Sequence, residues 1–452
     1  MIRNPERTMQ LVLSLAFAVL LGACGGDAAL TDVATSQPSL DQQVRTALNG
    51  WGVVPILPVA AQNPALVDLG RSLFFDRILS GNRDVSCASC HNPENHTGDG
   101  LSLAVGTRGR LAPRNAPALF SVGLGGPYLF WDGRVSTLGP QDGAPISTPL
   151  GSALPASVTS ILAAQAMMPV TNRVEMRGNA GDVDAFGNAN ELAQPADTAY
   201  GAIWSGVMHR VLAISAYMQK FNAAYPLVSA DRLGFEHAAN AIAAFETETF
   251  TRAGSPFDHY LAHDDGALTP DAKQGALLFF GKARCSQCHN GPLLGGQEFA
   301  SVGVPQLGPG SGSAAPLDIG AGDSVKGRSF TFPKFFFRVA PLRNVELTAP
   351  YMHDGAYPTL EAVVRHYNNV DSALKSYDVT QVDASLRASY HGDAATINAL
   401  LTSLDGRLRQ PLALTADEQR HLVAFLKSLT DPAARDLHSI APSSVPSGLP
   451  VR

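Results

Sequence analysis

Two five-residue segments of this chain combine the residue types with the most specific chemistry. They are Cys87-Ala88-Ser89-Cys90-His91 and Cys285-Ser286-Gln287-Cys288-His289, in a sequence with five cysteines. The pattern Cys-x-x-Cys-His is the attachment signature of a c-type haem: the two thiols add to the porphyrin vinyl groups, and the histidine becomes an axial ligand of the iron. We therefore predict two covalently bound haem c groups, one held by each segment.

Two other uses of paired cysteines fit this pattern less well. A structural zinc site needs four ligands, usually from two pairs that are close in sequence, whereas these pairs lie in different halves of the chain. A thioredoxin-like redox site does not need a histidine directly after the second cysteine. Haem attachment is therefore the better interpretation of both segments.

An internal repeat precedes the two segments and indicates the elements that position them. Leu69–Phe75 resembles Gln274–Phe280, and Asn63-Pro64 and Thr269-Pro270 both have the form of a helix start. We predict a mainly α protein with two cytochrome c-like haem domains in tandem and long Gly/Pro-rich loops. The expected division is 1–23 signal peptide, 24–45 tether, 46–255 N-terminal haem domain, 256–432 C-terminal haem domain and 433–452 disordered tail.

Other stretches predict the framework around the haem segments. Helices are expected at Ala156–Met168, Thr198–Phe221 and Asp231–Thr249, from their apolar spacing. Thr415–Glu418 has the form of a capping box that opens a terminal helix, and Gly303–Gly327 reads as a loop.

Composition limits the class of protein. The chain has 452 residues, a net charge of -6, 16% charged residues, 42 glycines and 31 prolines. This length allows two or three domains. The mildly acidic balance argues against a nucleic-acid partner, and the glycines and prolines favour long loops.

The first residues have the form of a lipoprotein signal peptide. Arg3 and Arg7 are positive, and Leu11–Leu21 is an apolar run too short to span a bilayer. Leu21-Gly22-Ala23-Cys24 reads as a lipobox, and Cys24 is the one cysteine that the haem segments do not use. An ordinary signal peptide cut nearby is the alternative. Either form predicts export to the periplasm, with a lipid anchor on Cys24 in the first case.

Further motifs resemble the bacterial di-haem cytochrome c peroxidase family, which includes MauG. They are Arg114–Pro117 (RNAP), Phe130–Arg134 (FWDGR), Val174–Met176 (VEM) and Leu342–Gly355 (LRNVELTAPYMHDG). The resemblance runs from about Asn63 to Leu429. It implies a peroxidatic haem in the N-terminal domain, an electron-transfer haem in the C-terminal domain, and the reduction of hydrogen peroxide to water.

The resemblance also assigns roles to single residues. His91 and His289 match the proximal ligands of the reactive and the second haem iron. Trp131 matches a tryptophan between the two haems. Glu175 matches the distal carboxylate above the open iron position, where a raised pKa suits proton transfer, and Gln141 matches a distal-side glutamine.

A calcium site is implied in the same way. The side chain of Asn115 and the backbones of Thr348 and Pro350 match the ligands of a calcium ion at the domain junction. Calcium prefers hard oxygen donors of this kind.

The chain departs from the typical peroxidases in the loop after the first haem segment. Peroxidases that need reductive activation carry a histidine there, which caps the iron. Alignment through Asn115 places Thr107 at that position, and a hydroxyl is a poor haem ligand. We expect a five-coordinate first haem in the all-ferric state, with His96 as a substitute ligand in the alternative.

A second departure concerns the distal ligand of the C-terminal haem. The position that is methionine in typical peroxidases is Tyr367 here, as in MauG. A phenolate donor would lower the reduction potential below that of a His/Met pair. His366 and Met352 are alternative ligands, and Tyr367 as a core side chain of its helix is the structural alternative.

Three functions are compatible with these features. In a peroxidase, a small cytochrome c or copper protein donates electrons at the C-terminal haem. In a MauG-like enzyme, the oxidising power is spent on an aromatic residue of a partner protein. A di-haem electron carrier or peroxide sensor would not need Glu175. A homodimer is compatible with all three.

Overall fold

The computed structural model describes residues 37–124, 126–137, 145–323 and 332–451, which are mainly helical. The α-helices of this part are α1 (Leu40–Gly50), α2 (Pro64–Phe75), α3 (Cys87–Cys90), α4 (Ile161–Ala166), α5 (Tyr200–Leu212), α6 (Ser215–Ala224), α7 (Phe235–Phe250), α8 (Pro256–Leu261), α9 (Pro270–Phe280), α10 (Leu360–Asn368), α11 (Val370–Lys375), α12 (Ala394–Ser403) and α13 (Ala416–Lys427). The predicted signal peptide and Cys24 lie outside the described residues.

Four two-residue strands form two small antiparallel ribbons. They are β1 (Tyr128–Leu129) with β2 (Val135–Ser136), and β3 (Phe299–Ala300) with β4 (Phe337–Arg338). Short 3₁₀ turns and loops connect the remaining elements. Within the described ranges, no helix is long and apolar enough to cross a membrane.

The internal repeat seen in the sequence corresponds to two similar pairs of crossing helices. α2 crosses α7, and a Cβ atom on Gly70 would lie 2.0 Å from the carbonyl oxygen of Ala241. α9 crosses α13, and a Cβ atom on Gly275 would lie 1.9 Å from the carbonyl oxygen of His421. Only glycine lets the helix backbones approach this closely, so the repeated glycine sets both crossings.

Aromatic rings fill the space beside each crossing. The centroids of Phe74 and Phe245 are 5.2 Å apart in the first half, and those of Phe279 and Phe425 are 5.1 Å apart in the second. All four side chains are buried. Burial of each contributes about 1.5–3 kcal/mol relative to exposure, so these rings anchor the two apolar cores that support the haem segments.

The N-terminal end of the described chain belongs to the second core. Val44 and Leu48 of α1 are buried there, next to α9. Lys273 pairs with Asp41 over 2.6 Å. The predicted tether, 24–45, therefore includes the start of a packed helix from Leu40 onward.

The C-terminal end packs on the first core, so the expectation of a disordered tail at 433–452 was wrong. Val445 and Leu449 are buried in that core. Ser447 donates a hydrogen bond from Oγ to Asp76 Oδ1 over 2.6 Å. The segment is polar in composition, which suggested disorder, but its apolar residues Val445 and Leu449 pack on the first core.

Two of the three helices predicted for the middle of the chain differ from the structure, and the third agrees with it. The stretch Ala156–Met168 is helical only in α4, which begins after Ser160 caps the amide of Ala163. The stretch Thr198–Phe221 divides into α5 and α6 because Ile214 has an extended backbone (φ -93°, ψ 114°).

That break lets Tyr217 of α6 reach Asp76, whose carboxylate accepts its hydroxyl over 2.7 Å. The third prediction agrees closely with α7, and the predicted capping box is present at Thr415 and Glu418. The described part of the predicted loop, up to residue 323, is irregular apart from the 3₁₀ turn Gly312–Ala314 and isolated β-bridges at Ser311, Asp318 and Gly320.

Candidate haem-binding site

The first haem segment forms α3 and the turn that follows it. The amide of His91 donates to the carbonyl of Cys87 over 2.9 Å, and the ring Nδ1 lies 3.2 Å from the carbonyl oxygen of Thr97. Burial lowers the pKa of His91, although the carbonyls of Thr97 and Pro117 oppose this. A neutral ring with its Nδ1 proton held by a carbonyl leaves Nε2 to bind iron, the usual arrangement of a metal-binding histidine.

The second segment repeats this geometry. The amide of His289 donates to Cys285 over 2.8 Å, and Nδ1 lies 3.0 Å from the carbonyl oxygen of Leu294. Burial lowers the pKa of His289 to about 4. The two histidines are thus held in the same tautomer by the same type of backbone contact.

The four thiols of the segments are not joined in disulfides. Burial raises the pKa of each thiol to about 12, which disfavours the thiolate form. Two thiols and an imidazole at each site are the donor set of a c-type haem, and they fit that group.

A cavity of about 300 Å³ lies beside the second segment. Cys285, Cys288 and His289 contribute to its wall, together with residues of the first half such as Trp131. Much of the remaining wall is apolar and includes Leu342, Val364, Leu412, Leu422 and Leu426. An apolar wall around an imidazole and two thiols suits a porphyrin, which supports the haem interpretation of this segment.

Tyr367 and Met352 both line this cavity, whereas His366 is used elsewhere. His366 has Nδ1 2.8 Å from Tyr357 Oη and Nε2 2.7 Å from the carbonyl oxygen of Val302. Because both of its nitrogens are engaged, His366 is a poor candidate for the distal ligand.

Within the described residues, no hydrogen bond involves Tyr367 Oη. Burial is the main reason that the pKa of Tyr367 is raised, and Cys288 and Cys285 add to the effect. The phenol therefore lies near the haem-binding thiols. Its ligation of iron stays a prediction, with Met352 as the alternative.

Glu175 lies on a short π-helical turn, Arg173–Arg177. Asn172 caps this turn: its Oδ1 accepts from the amide of Glu175 over 3.1 Å, and its Nδ2 donates to Glu175 Oε1 over 3.2 Å. The turn packs tightly on the loop after the first haem segment, because a Cβ atom on Gly106 would lie 2.0 Å from the carbonyl oxygen of Val174.

The surroundings of Glu175 suit a proton-transfer group. Burial raises the pKa of Glu175, and Arg134 and Arg114 oppose the effect. The Glu175 carboxyl group also contributes to the raised pKa of Cys90. The carboxyl group therefore interacts electrostatically with both Cys90 and the two arginines. Its role as a distal acid stays a prediction.

Thr107 is fully buried, and its hydroxyl is used by polar neighbours. Thr107 Oγ1 donates to Asp84 Oδ1 over 2.8 Å and accepts from Asn82 Nδ2 over 2.7 Å. The amide of Arg108 donates to the same carboxylate over 2.9 Å. A side chain held in this way is not available to iron, which supports the expectation of an open first haem.

His96 is held in the turn that contacts the proximal histidine. It has a left-handed backbone (φ 54°) and directly precedes Thr97, whose carbonyl faces His91 Nδ1. This position is on the proximal side of His91, which argues against His96 as a distal ligand.

Trp131 is bonded to both halves of the protein. Its Nε1 donates to the carbonyl of Asn115 over 3.0 Å, and its carbonyl accepts from the amide of Arg338 over 2.8 Å. Arg338 Nε donates to the carbonyl of Phe130 over 3.0 Å. Since Trp131 also lines the cavity at the second segment, it contacts that site although it follows the first segment in sequence.

A buried ionic network fixes the same loop. Arg114 contacts Asp132 and Asp318, each over 2.6 Å, and Arg134 contacts Asp132 over 2.9 Å. Burial alone would raise the pKa of Asp132, but Arg134 and Arg114 lower it overall. Removing one member of such a network leaves a buried charge uncompensated, which costs about 3–5 kcal/mol.

The predicted calcium residues line one cavity. Asn115, Thr348 and Pro350 all contribute to the wall beside the second segment. Asn115 Nδ2 donates to the carbonyl of Leu101 over 2.7 Å, which orients the amide oxygen away from that carbonyl. No cluster of three histidine, cysteine or carboxylate side chains was found among the described residues, so donors would be amide and carbonyl oxygens. Calcium binding stays a prediction. Gln141, the predicted distal-side glutamine, lies outside the described residues.

Sequence reasoning overlooked two carboxylates near the first segment. Asp84 anchors Thr107, as described above. Glu246 of α7 is 4% exposed, and burial raises its pKa to about 8. It also contributes to the raised pKa of Cys87. The sequence could have indicated this buried carboxylate, because Glu246 directly follows Phe245 of the apolar stripe of α7.

Comparison with known proteins shows the family to which this chain belongs. The family described as di-haem cytochrome c peroxidase matches residues 64–266. The cytochrome-c peroxidase IdrP2 of Pseudomonas sp. (strain SCT) is 30% identical over 430 residues, which cover 91% of each chain. The methylamine utilization protein MauG of Methylorubrum extorquens is 29% identical over 419 residues, 91% of this chain and 93% of that one.

A solved structure is similar as well. A MauG-like protein associated with microbial copper homeostasis has a TM-score of 0.58 and 27% identity, covering 86% of this chain and 96% of that one. The fold and the paired haem segments define a di-haem c-type cytochrome. More specifically, this chain belongs to the di-haem cytochrome c peroxidase family, whose relatives include both peroxidases and MauG.

Proposed function

We propose that this protein is an exported di-haem peroxidase that reduces hydrogen peroxide to water at the N-terminal haem, with electrons delivered through the C-terminal haem. The observation that carries the proposal is the position of Glu175, whose turn packs on the loop after the first haem segment and whose carboxyl group has a raised pKa because it is buried. A haem held by Cys87, Cys90 and His91 would supply an iron centre that binds peroxide and takes up its oxidising equivalents.

Glu175 moves the proton in this proposal. It would take a proton from one oxygen of hydrogen peroxide and return it to the other, which leaves as water when the O–O bond breaks. Asn172 holds the carboxyl group in place, and the raised pKa brings it closer to working pH. The family resemblance implies that Gln141 assists this proton transfer.

Electrons enter through the second half of the protein. A small cytochrome c or copper protein docks at the C-terminal haem, and Trp131 connects the two halves. The hydrogen bond from Trp131 Nε1 to Asn115 and the contact with Arg338 support this role, because they hold the indole at the junction.

Two further parts of the proposal rest on residue identity: a calcium site, and export with a lipid anchor. Asn115, Thr348 and Pro350 would hold a calcium ion through oxygen donors. The predicted signal peptide directs the chain to the periplasm, and Cys24 carries a lipid anchor there. Calcium release by a chelator and mass spectrometry of the mature N-terminus test these two points separately.

A MauG-like activity is the second candidate, and two residues favour it. Thr107 is held by Asp84 and Asn82, which is consistent with a first haem that needs no activation, and Tyr367 lines the cavity of the second segment. In this version the oxidising power of peroxide is spent on a tryptophan or tyrosine of a partner protein.

The test uses the purified holoenzyme with peroxide and reduced cytochrome c, followed optically without prior reduction. Rapid cytochrome oxidation supports the peroxidase. A long-lived oxidised enzyme with no cytochrome oxidation supports the MauG-like activity. Glu175→Gln should slow peroxide consumption by about 100-fold, since proton-transfer groups contribute roughly 10²–10⁴-fold.

Glu248→Gln is the matched control for Glu175→Gln. Glu248 is an exposed carboxylate on α7 that accepts from the amide of Gln62, so its replacement should leave peroxide consumption unchanged. If Glu175→Gln consumes peroxide as fast as the wild type, the catalytic assignment is wrong and an electron carrier or sensor becomes the better interpretation.

A further inference from the structure

Five aromatic side chains form a continuous row from the cavity of the second haem segment to the surface. In order they are Tyr367, His366, Tyr357, Tyr377 and Tyr390, and successive ring centroids lie 5.6, 5.1, 5.6 and 5.2 Å apart. Tyr367 lines the cavity, and Tyr390 is partly exposed. The row therefore joins a candidate haem ligand to solvent.

The buried centre of the row is a phenol bonded to a base. Tyr357 is 4% exposed and His366 is 1% exposed. His366 Nε2 lies 2.7 Å from the carbonyl oxygen of Val302, which can only accept, so Nε2 carries the ring proton. Nδ1 is then the acceptor for Tyr357 Oη, which lies 2.8 Å away. Tyr357 thus has a proton acceptor in place.

The outer part of the row leads to the surface. Tyr377 Oη donates to the carbonyl of Ala356 over 2.6 Å. The ring of Tyr390 lies against the backbone of Gly392, where a Cβ atom would come within 2.2 Å of Tyr390 Cε1. Among the residues described here, no hydrogen bond involves Tyr390 Oη, and the side chain is partly open to water.

Apolar packing alone does not explain the row. Phenylalanine would fill the same space without the cost of burying a hydroxyl group, yet Tyr357 and Tyr377 both keep hydroxyl groups that need partners. The neighbouring Leu386 and Val382 already supply an apolar environment. Phenols, unlike phenylalanine rings, can give up one electron together with one proton.

We propose that Tyr357, Tyr377, Tyr390 and His366 form a tyrosine relay that carries single electrons from a phenol-type donor at Tyr390 to the second haem site. The relay rests on the proposed function, because hydrogen peroxide is the oxidant. Tyr357 gives one electron to the oxidised haem site, and its phenolic proton moves to His366 Nδ1 along the existing hydrogen bond.

The cycle closes at the surface. Tyr377 gives an electron to Tyr357 and takes one from Tyr390, and while it is oxidised its proton stays in its hydrogen bond to Ala356. A phenylalanine ring is much harder to oxidise and cannot make this step. Tyr357 recovers its proton from His366, and Tyr390 releases its own to water. A phenolic donor then returns one electron to Tyr390, which takes back a proton. Two passages supply the two electrons that, with two protons, convert one peroxide into two waters.

The first test is made on the all-ferric holoenzyme, mixed with peroxide in the absence of a donor. We expect a tyrosyl radical in the electron paramagnetic resonance spectrum, and a spin-trap adduct on Tyr390 by mass spectrometry. Tyr377→Phe keeps the ring and removes the phenol, so the Tyr390 adduct should fall by about tenfold or more. Guaiacol oxidation should fall with it.

Tyr225→Phe is the matched control. Tyr225 donates to a carbonyl over 2.6 Å and packs against the His237 ring at 4.9 Å, but it lies in the first core. Its replacement should leave the radical and the adduct unchanged. An undiminished Tyr390 adduct in Tyr377→Phe would overturn the relay, and so would the lack of a tyrosyl radical in wild-type enzyme that consumes peroxide.

A second measurement separates the relay from the proposed function. The dithionite-reduced holoenzyme is oxidised by flash-generated tris(bipyridine)ruthenium(III), and oxidation of the second haem is followed optically. We expect Tyr377→Phe and Tyr390→Phe to slow this step by about tenfold or more. If peroxide is not consumed but this slowing is seen, the proposed function fails and the relay stands. Equal rates in all proteins would exclude the relay.

Discussion

Thr107 Oγ1 donates a hydrogen bond to Asp84 Oδ1 over 2.8 Å, and this contact holds the loop that follows the first haem segment. Thr107 has no exposed surface. The same loop packs through Gly106 on the turn that carries Glu175. A single buried contact therefore both withdraws the Thr107 hydroxyl from the haem site and supports the carboxylate that is proposed to act there.

Thr107→Val should reduce the free energy of unfolding without changing the ligation of the first haem. Valine leaves the partners Asp84 and Asn82 unsatisfied, at a cost of about 1–3 kcal/mol, measured by urea unfolding. The as-isolated ferric spectrum should keep its high-spin signal. The exposed pair Thr380 and Asp378 provides the control, Thr380→Val, with little expected change. An as-isolated wild-type spectrum with low-spin signals alone would contradict the five-coordinate first haem.

The rate of reaction with peroxide should fall at low pH as Glu175 becomes protonated. Burial raises the pKa of Glu175 above its usual value of 4.5, so the carboxylate form is lost at a higher pH than in a free side chain. The pH profile of peroxide consumption should therefore have an acidic limb with a midpoint above 4.5. Glu175→Gln should remove this limb, and a profile of the same shape in that variant would exclude Glu175 as its source.

Tyr367→Met should raise the reduction potential of the second haem. A neutral thioether stabilises ferrous iron better than an anionic phenolate does, and axial ligands span about 0.8 V. We expect a rise on the order of 100 mV within that span, measured by spectroelectrochemistry. Tyr351→Phe is the control, since Tyr351 lines the same cavity but donates to the carbonyl of Glu346. An unchanged potential in Tyr367→Met would leave Met352 as the better ligand.

Glu246 should make the folded protein less stable as pH rises. Its pKa is about 8 in the folded chain against a usual 4.5, so the folded state keeps a proton that the unfolded state has lost. The favourable contribution is fully present below 4.5 and disappears as pH rises through about 8. The total change in the free energy of unfolding is on the order of 5 kcal/mol, at ~1.4 kcal/mol per pKa unit.

Glu246→Gln should flatten this dependence, measured by urea unfolding across that pH range. Glu248→Gln, at the exposed neighbour on the same helix, should leave it intact. A pH dependence that survives in Glu246→Gln would assign it to another group.

Alanine at either crossing glycine should destabilise the fold. Gly70→Ala and Gly275→Ala place a methyl group against the backbone of the partner helix, and such overpacking costs about 1–3 kcal/mol or more. Gly201→Ala is the control: it lies in α5 with open space around it, so alanine should stabilise the helix by up to about 1 kcal/mol. Thermal unfolding of the three variants gives the comparison, and equal melting temperatures would contradict the role of the crossings.

The haem segments, the helix repeat and its glycines could be predicted from sequence because each is a local pattern. The spacing within Cys87–His91 determines which side chains share a turn, and Gly70 and Gly275 occupy matching places in two similar helices. The family motifs added the candidate roles of Glu175, Trp131 and Tyr367, and the structure placed Tyr367 in the wall of the cavity beside Cys285 and Cys288.

Only the tertiary structure decided which distant groups meet. Thr107 finds Asp84, His366 is occupied by Tyr357 and Val302, and the terminal segments pack on cores far away in sequence. These contacts depend on how whole helices cross and on which buried polar atoms then need partners. Local residue patterns specify neither the helix crossings nor the partners of buried polar atoms, since one pattern of residue spacing is compatible with many long-range arrangements.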